Sequence, residues 1–152
     1  MRNRKVAGLV GLVVAGVVCS GSAIWAQQTR LRARKNKVVN GLEAQLRGDY
    51  RETGGSPSRL SVDLENINIP VGTPVAFCLV DSVTLTRTKI AEGPVAVVGG
   101  ILVASAELNL TDGEFVPAVN IGDKLQARQK AVAPFTATPD CSTHQLVSAV
   151  FK

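Results

Sequence analysis

The sequence predicts an all-β protein built as a single antiparallel β-sandwich. Two observations predict it. Short runs in which apolar and polar residues alternate recur along the chain, and Gly-, Pro-, Asn- and Asp-rich turn signals separate them at spacings of about ten residues. With 152 residues the chain is long enough for one domain that buries its own core.

An apolar segment precedes this domain and has the pattern of an export signal. Three basic residues come before the uncharged run 6–18, and small residues dominate 19–26. We therefore predict a signal peptide over residues 1–26, cleaved after Ala26 or, as the second choice, after Ala23, and a β-sandwich domain over 27–152. The alternative is a retained membrane-anchor helix, because residues 6–26 are long enough to span a bilayer.

Positive charge is concentrated near the N-terminus. The chain has 17 basic and 12 acidic residues, a net charge of +5. Residues 1–37 hold eight of the basic residues and no acidic one, so residues 38–152 hold 9 basic against 12 acidic, a net charge of −3. A slightly acidic body does not predict a nucleic-acid-binding face.

The first strand of the domain is expected at 30–37 and is unusually basic. Its charged residues are Arg30, Arg32, Arg34, Lys35 and Lys37. One interpretation is an edge strand whose charges discourage pairing with other molecules. The other is a contact site for an anionic partner, such as lipid headgroups or a cell-surface polymer.

A strand pair over 60–80 organises the rest of the chain. Apolar residues alternate from Leu60 and then change phase, which predicts a bulge near Glu65-Asn66. Pro70 and Gly72 predict a corner. The run 75–80 is apolar on both faces, as in a central strand.

The other strands follow from the same alternation, and certain residues mark their limits. Gly48 is expected to form a bulge, Glu92-Gly93-Pro94 to end a strand, and Phe115 to enter the core beside Val116 and Val119. In 84–90, three threonines share one face with Ile90. The number and spacing of strands are typical of an immunoglobulin-like β-sandwich. The remaining strands are expected at 44–53, 84–90, 95–98, 101–110, 124–129 and 145–152.

Two cysteines, Cys78 and Cys141, remain after residue 26. In an exported domain, such a pair predicts a disulfide bond. The alternative is two separate buried thiols.

Several motifs along the chain are turn and core positions: Leu60–Ile67, Ile69–Thr73, Asp112–Val119, Gly122-Asp123 and the final strand ending in Phe151. These motifs resemble a bacterial exported β-sandwich module found in predicted extracellular proteins of environmental bacteria. The resemblance covers about residues 30–152 and implies a surface or periplasmic module without enzymatic activity, with no functional residues to transfer. The cysteine pair departs from the pattern, and so does 84–100, which lacks a short glycine turn.

No residue pattern predicts catalysis, a cofactor or a metal site. The single histidine, His144, is near Asp140 and Cys141 in sequence, but a catalytic triad requires groups brought together from separate elements. Asp112, Glu114 and Asp123 are better explained as turn residues than as a Ca²⁺ site, which needs six or more oxygen ligands.

The leading functional hypothesis is therefore an exported, non-enzymatic β-sandwich that acts by binding or assembly at the cell surface or in the periplasm. Its partner would be a protein or a surface polymer, and edge strands could support homo-assembly. The second hypothesis is a membrane-tethered domain whose strand 30–37 contacts anionic lipid or polymer. The third and weakest is a small hydrolase that uses His144.

Overall fold

A computed structural model of the protein describes residues 27–129 and 140–152. Both the predicted leader and most of the 133–143 loop fall outside these ranges. Within them the chain is all-β, and no helix is long and apolar enough to cross a membrane. The nine strands are β1 (Gln28–Val39), β2 (Leu42–Thr53), β3 (Ser56–Glu65), β4 (Pro74–Val80), β5 (Arg87–Pro94), β6 (Ala96–Val98), β7 (Ile101–Asn109), β8 (Lys124–Gln129) and β9 (His144–Val150).

The strands form two antiparallel sheets packed as a sandwich, which confirms the all-β, two-sheet part of the predicted fold. One sheet has the order β1-β2-β3-β7-β6, and the other has the order β5-β4-β8-β9. We call the end at which β1 begins the lower end. The loops 81–86 and 110–123 lie there, whereas the β1–β2 and β6–β7 turns lie at the upper end.

The core lies between the sheets and is built by the predicted alternation. Along β3, Leu60, Val62 and Leu64 are buried while the residues between them are partly exposed. Central strand β4 is buried on both faces, as its continuous apolar run predicts. Ring-bearing side chains from both sheets, Tyr50, Phe77 and Phe151, are the largest buried groups.

The C-terminal residues close one side of the sandwich. The Phe151 amide donates to the Asp123 carbonyl at 2.9 Å, while Arg32 and Lys152 exchange two backbone hydrogen bonds of 3.0 and 3.1 Å. The predicted bulge at Gly48 is wrong, because the β2–β3 register shifts between Arg51 and Glu52. Gly48 instead leaves room for the closing ring: a Cβ there would lie 2.9 Å from Phe151 Cζ.

The bulge predicted near Glu65-Asn66 is wrong: the buried apolar positions change phase after β3 because the strand ends and the chain turns. The strand ends at Glu65, and Asn66 adopts a left-handed conformation with φ of 55°. Asparagine tolerates this conformation. The turn of the backbone returns Ile67 and Ile69 to the core, where both are buried.

The predicted break at Glu92-Gly93-Pro94 is also wrong, because β5 continues through Pro94. After Val95 the chain forms β6 and so passes from one sheet to the other. Gly93 permits this crossing: a Cβ at that position would lie 2.2 Å from the Ser105 carbonyl oxygen of β7. A glycine read as a chain break therefore marks a close approach between strands.

The loops of the lower end differ from prediction in two respects. The strand expected at 84–90 begins only at Arg87, because Asp81 holds residues 82–86 in a turn by accepting from the Val83 and Thr84 amides. Phe115 does not enter the core and is 84% exposed. Val116 and Val119 are buried as predicted.

Replacement of Gly93 by alanine is expected to lower the free energy of unfolding by about 3 kcal/mol, because backbone atoms of β7 cannot move aside easily. Chemical denaturation would measure it. Gly48→Ala is the matched control and should cost less, since its Cβ would meet only the ends of side chains. Equal losses in the two variants would contradict the account of the crossing.

Candidate functional site

The candidate site is the outer face of the five-stranded sheet, which we call the arginine face. On β1 the outward residues are Arg30, Arg32 and Arg34, because Leu31 and Ala33 between them are buried against the core. The predicted edge strand is thus confirmed, with its arginines in one row on the exposed side.

The register adds arginines from β2 and β3 to this row. Arg34 lies directly opposite Arg47, and Arg30 lies opposite Arg51, which in turn is opposite Arg59. Like charges directly opposite each other on neighbouring strands destabilise a sheet. Two of these arginines have counter-ions on neighbouring strands, since Arg47 Nη2 lies 3.0 Å from a Glu65 oxygen and Arg59 Nη2 lies 2.8 Å from a Glu107 oxygen. The repulsion is therefore offset in part.

One carboxylate, Asp49, serves three arginines. It accepts from Arg30 Nε at 2.9 Å and from Arg51 Nε at 3.3 Å, and Arg32 Nε lies 3.7 Å away. Burial alone would raise the pKa of Asp49, but hydrogen bonds and charge from Arg30 and Arg51 outweigh it and hold the pKa below its ordinary value. A single negative charge cannot neutralise three guanidinium groups.

A shallow groove of about 450 Å³ runs across these rows. Between the arginines it is lined by Ala33 and Gly48, which face each other on β1 and β2. Among the residues that the structure describes, Arg34 has no ion-pair partner. The charged and polar lining residues are Arg30, Arg32, Arg34, Arg47, Asp49 and Asp63.

Asp63 is a second, less favourable carboxylate in this groove. It lies opposite Arg47 in the β2–β3 register, but burial and the nearby charge of Glu65 raise its pKa, and Arg47 offsets this only in part. The charged form of Asp63 is therefore disfavoured in the folded protein.

The two lysines expected at the same site lie elsewhere. Lys37 Nζ donates to the Leu146 carbonyl at 2.9 Å, which ties β1 to β9. Lys35 lines a separate groove between the sheets, with Ser148 and Lys152. Strand alternation, applied to 30–37, separates Arg30, Arg32 and Arg34 from these lysines.

A disulfide joins Cys78 in β4 to Cys141 just before β9, across 63 positions of sequence. The predicted pairing is therefore present in the structure. Cys78 is fully buried. Closing a loop of this length restricts the unfolded chain and stabilises the fold by up to about 4 kcal/mol.

The residues considered for catalysis and metal binding have local structural roles. Asp140 accepts from the Ser142 amide at 2.7 Å, and the Asp123 carboxylate accepts from the Ser82 and Asn120 amides. His144 is exposed and lies opposite Gln129 in the β8–β9 ladder. Within 27–129 and 140–152, no cluster of three or more His, Cys, Asp or Glu residues could hold a metal ion.

Asp63→Asn is expected to raise the melting temperature at pH 7 by about 1–3 °C, a small effect for a half-exposed carboxyl. The pKa of Asp63 is raised in the folded protein, so above that pKa the ionised carboxylate destabilises the fold. Below pH 3.8 the carboxyl is protonated in both the folded and the unfolded protein, so the difference in melting temperature between parent and variant should vanish. Thermal melts across this pH range would measure it.

Asp49→Asn is the control of opposite sign. Its lowered pKa contributes stability above pH 3.8 that is lost as pH falls through the folded value. This variant should therefore melt at a lower temperature than the parent protein at pH 7. Two variants that shift in the same direction would contradict the charge assignment.

Sequence reasoning found half of the arginine face and missed Arg47, Arg51 and Arg59. The alternation within 44–53 and the Asn40-Gly41 hairpin signal could have placed Arg47 and Arg51 opposite β1, since a two-residue turn fixes the register.

No family model matches the chain, and no curated protein or solved structure is significantly similar to it.

Proposed function

We propose that this protein is an exported, non-enzymatic β-sandwich whose arginine face binds an anionic polymer at the cell surface or in the periplasm. The observation that carries the proposal is the direct opposition of Arg34 and Arg47 on neighbouring strands. Glu65 balances the charge of Arg47 at 3.0 Å, but no described residue pairs with Arg34, so part of the repulsion across the ladder persists in the free sheet. An anion placed between the two guanidinium groups would turn the repulsion into two attractions.

Arginine is the side chain suited to such a partner. Its planar fork donates two parallel hydrogen bonds to a carboxylate, sulfate or phosphate group. Successive outward residues on β1 are roughly 6.6 Å apart and adjacent strands about 4.8 Å apart. Rows with this spacing favour a chain of repeated anionic groups over a single small ion.

Export is supported by the sequence of residues 1–26 and by the Cys78–Cys141 disulfide. Disulfides form and persist in oxidising compartments outside the cytoplasm. The non-enzymatic assignment is supported by the exposed position of His144. The groove beside it is lined by Asn40, Asn68 and Gln129, with no carboxylate or hydroxyl nucleophile among its described residues.

The immunoglobulin-like type forms part of the proposal, and the strand order supports it. With β1 and β5 set aside, β2-β3-β7-β6 faces β4-β8-β9, which matches the ABED and CFG sheets of that fold. The disulfide does not join the B and F positions, as it does in antibody domains. An immunoglobulin-like sandwich is also the fold expected from the resemblance to an exported bacterial β-sandwich module.

Homo-assembly through an edge strand is a separate prediction. The backbone of Arg32 on β1 is already paired with Lys152. The short strand β6 is the edge of that sheet that a second copy would use.

Arg34→Gln is expected to weaken binding to dextran sulfate about tenfold, because a charge-assisted hydrogen bond is lost. The same change should raise stability slightly, by about 0.5 kcal/mol, because it removes the repulsion with Arg47. Titration at several salt concentrations, together with denaturation, would measure both effects. A loss of binding with a gain of stability cannot result from misfolding.

Two controls accompany this test. Neutral dextran should not bind, and Arg87→Gln, on the other sheet, should bind dextran sulfate like the parent protein. Equal affinity of the parent and Arg34→Gln proteins for dextran sulfate would refute the proposed role of the arginine face.

A further inference from the structure

The end of β7 carries an asparagine in the sequence pattern that directs N-linked glycosylation. Asn109 is followed by Leu110 and Thr111, so residues 109–111 read Asn-x-Thr with no proline in the middle position. In exported proteins this pattern marks surface asparagines that accept a sugar chain. The other six asparagines of the chain have no Ser or Thr two positions later, so the pattern selects one site.

The structure folds this segment into a turn in which the threonine contacts the asparagine. The strand β7 ends at Asn109, and a short 3-10 turn follows at Leu110–Asp112. Asn109 Oδ1 accepts from the Thr111 amide at 3.1 Å and from the Thr111 hydroxyl at 2.8 Å. The oxygen of the side-chain amide is therefore occupied by the turn, whereas its nitrogen, Nδ2, is not.

Four other asparagines use Nδ2 to hold the fold together. Each donates a hydrogen bond of 3.0–3.2 Å to a side-chain or backbone oxygen on another segment: Asn36, Asn40, Asn66 and Asn68. Within residues 27–129 and 140–152, Nδ2 of Asn109 donates no such bond. The asparagine that carries the sequence pattern thus keeps free the atom to which a sugar would be attached.

Asn109 also lies where a bulky group can be accommodated. It is partly exposed, and it lies opposite Arg59 in the β3–β7 register, so its side chain is on the outer face of the sheet. No residue of the 3-10 turn is buried, and Leu110 is 53% exposed. A glycan is bulky and water-soluble. On Nδ2 it would extend into solvent and shield Leu110 without displacing a core residue.

We propose that Asn109 carries an N-linked glycan, transferred from a lipid-linked sugar diphosphate by a membrane-bound transferase. Nδ2 forms a bond to the anomeric carbon of the first sugar while the bond between that carbon and the phosphate oxygen breaks. The amide nitrogen loses one proton, and the electron pair of the broken bond leaves with the lipid diphosphate. The step is a group transfer, so no atom is oxidised or reduced.

This inference rests on the proposed export, because the modified chains are exported ones. It does not rest on the polymer bound by the arginine face. Arg47 lies opposite Asp63, which lies opposite Ser105 on β7, and Asn109 is four positions further along that strand. Strand spacing and rise place Asn109 roughly 16 Å from Arg47. The glycan therefore leaves the Arg34–Arg47 pair accessible.

Peptide mass spectrometry on the protein from its native host tests the inference. Trypsin releases residues 90–124 as one peptide, because Lys89 and Lys124 are its nearest cleavage sites. This peptide should be heavier than its sequence by a whole number of sugar residues, and fragmentation should place the added mass on Asn109. Asn120 lies in the same peptide but is followed by Ile-Gly. It is the internal control and should be unmodified.

Two variants made in the native host separate recognition of the pattern from folding. Thr111→Ala should lower the modified fraction at least tenfold, because the required hydroxyl is lost. Thr111→Ser keeps a hydroxyl and the Asn-x-Ser pattern, so most molecules should remain modified. Position 111 is exposed, so both variants should fold. Both should bind dextran sulfate like the parent protein, which would show that the loss of sugar does not result from misfolding.

An unmodified Asn109 in the native protein would overturn the inference, and so would equal modification of the parent and Thr111→Ala proteins. The same samples report on export separately. A chain that begins at Gln27 with Cys78 and Cys141 bonded, but with Asn109 bare, would remove the glycan alone and leave the proposed export standing. A full-length chain with free thiols and a bare Asn109 would remove both.

Discussion

The rest of the structure depends on one set of backbone hydrogen bonds. Phe151 and Lys152, the C-terminal residues, make them with β1 and with the loop before β8. Phe151 fills the space beneath Gly48, and its backbone bonds to Gly122 and Asp123. Lys152 then pairs with Arg32 on the strand that carries the arginines. The final two residues thus join the edge of one sheet to the edge of the other. Without this closure, the backbone of β1 would pair only with β2, and its remaining hydrogen bond to the other sheet, among the described residues, would be the one from Lys37 Nζ to the Leu146 carbonyl.

Two surfaces of different chemistry follow from that closure. The arginine face exists because β1 and β2 alternate in register: Arg30, Arg32 and Arg51 point outward and share one carboxylate, Asp49, while the residues between them pack in the core. The lower end exists because Asp123 ties two loops whose apolar residues find no place inside. The first surface carries electrostatic repulsion and the second exposes apolar area, and each is a cost that the folded chain bears. Unfavourable features of this kind on the surface of a disulfide-linked domain are typical of surfaces that bind a partner.

Much of the fold could be predicted because alternation and turn chemistry are local. The β1–β2 hairpin at Asn40-Gly41, the central strand β4 and the inward positions of Val147, Ala149 and Phe151 all follow from a few neighbouring residues. The errors concern residues whose role depends on distant contacts. Gly48 and Gly93 are needed where another strand or ring approaches, and no local pattern records that approach. The opposition of Arg51 and Arg59 likewise depends on strand pairing, and the exposure of Phe115 depends on which neighbours fill the core first.

The central proposal is that the N-terminal segment exports this domain to an oxidising compartment, where the Cys78–Cys141 disulfide is kept. Intact-mass spectrometry on the protein from its native host, with and without reductant, tests this claim most directly. The account predicts a chain that begins at Gln27 and gains two hydrogens on reduction, which corresponds to the Cys78–Cys141 bond. A full-length chain whose mass does not change on reduction, with both thiols free, would contradict export and the disulfide together.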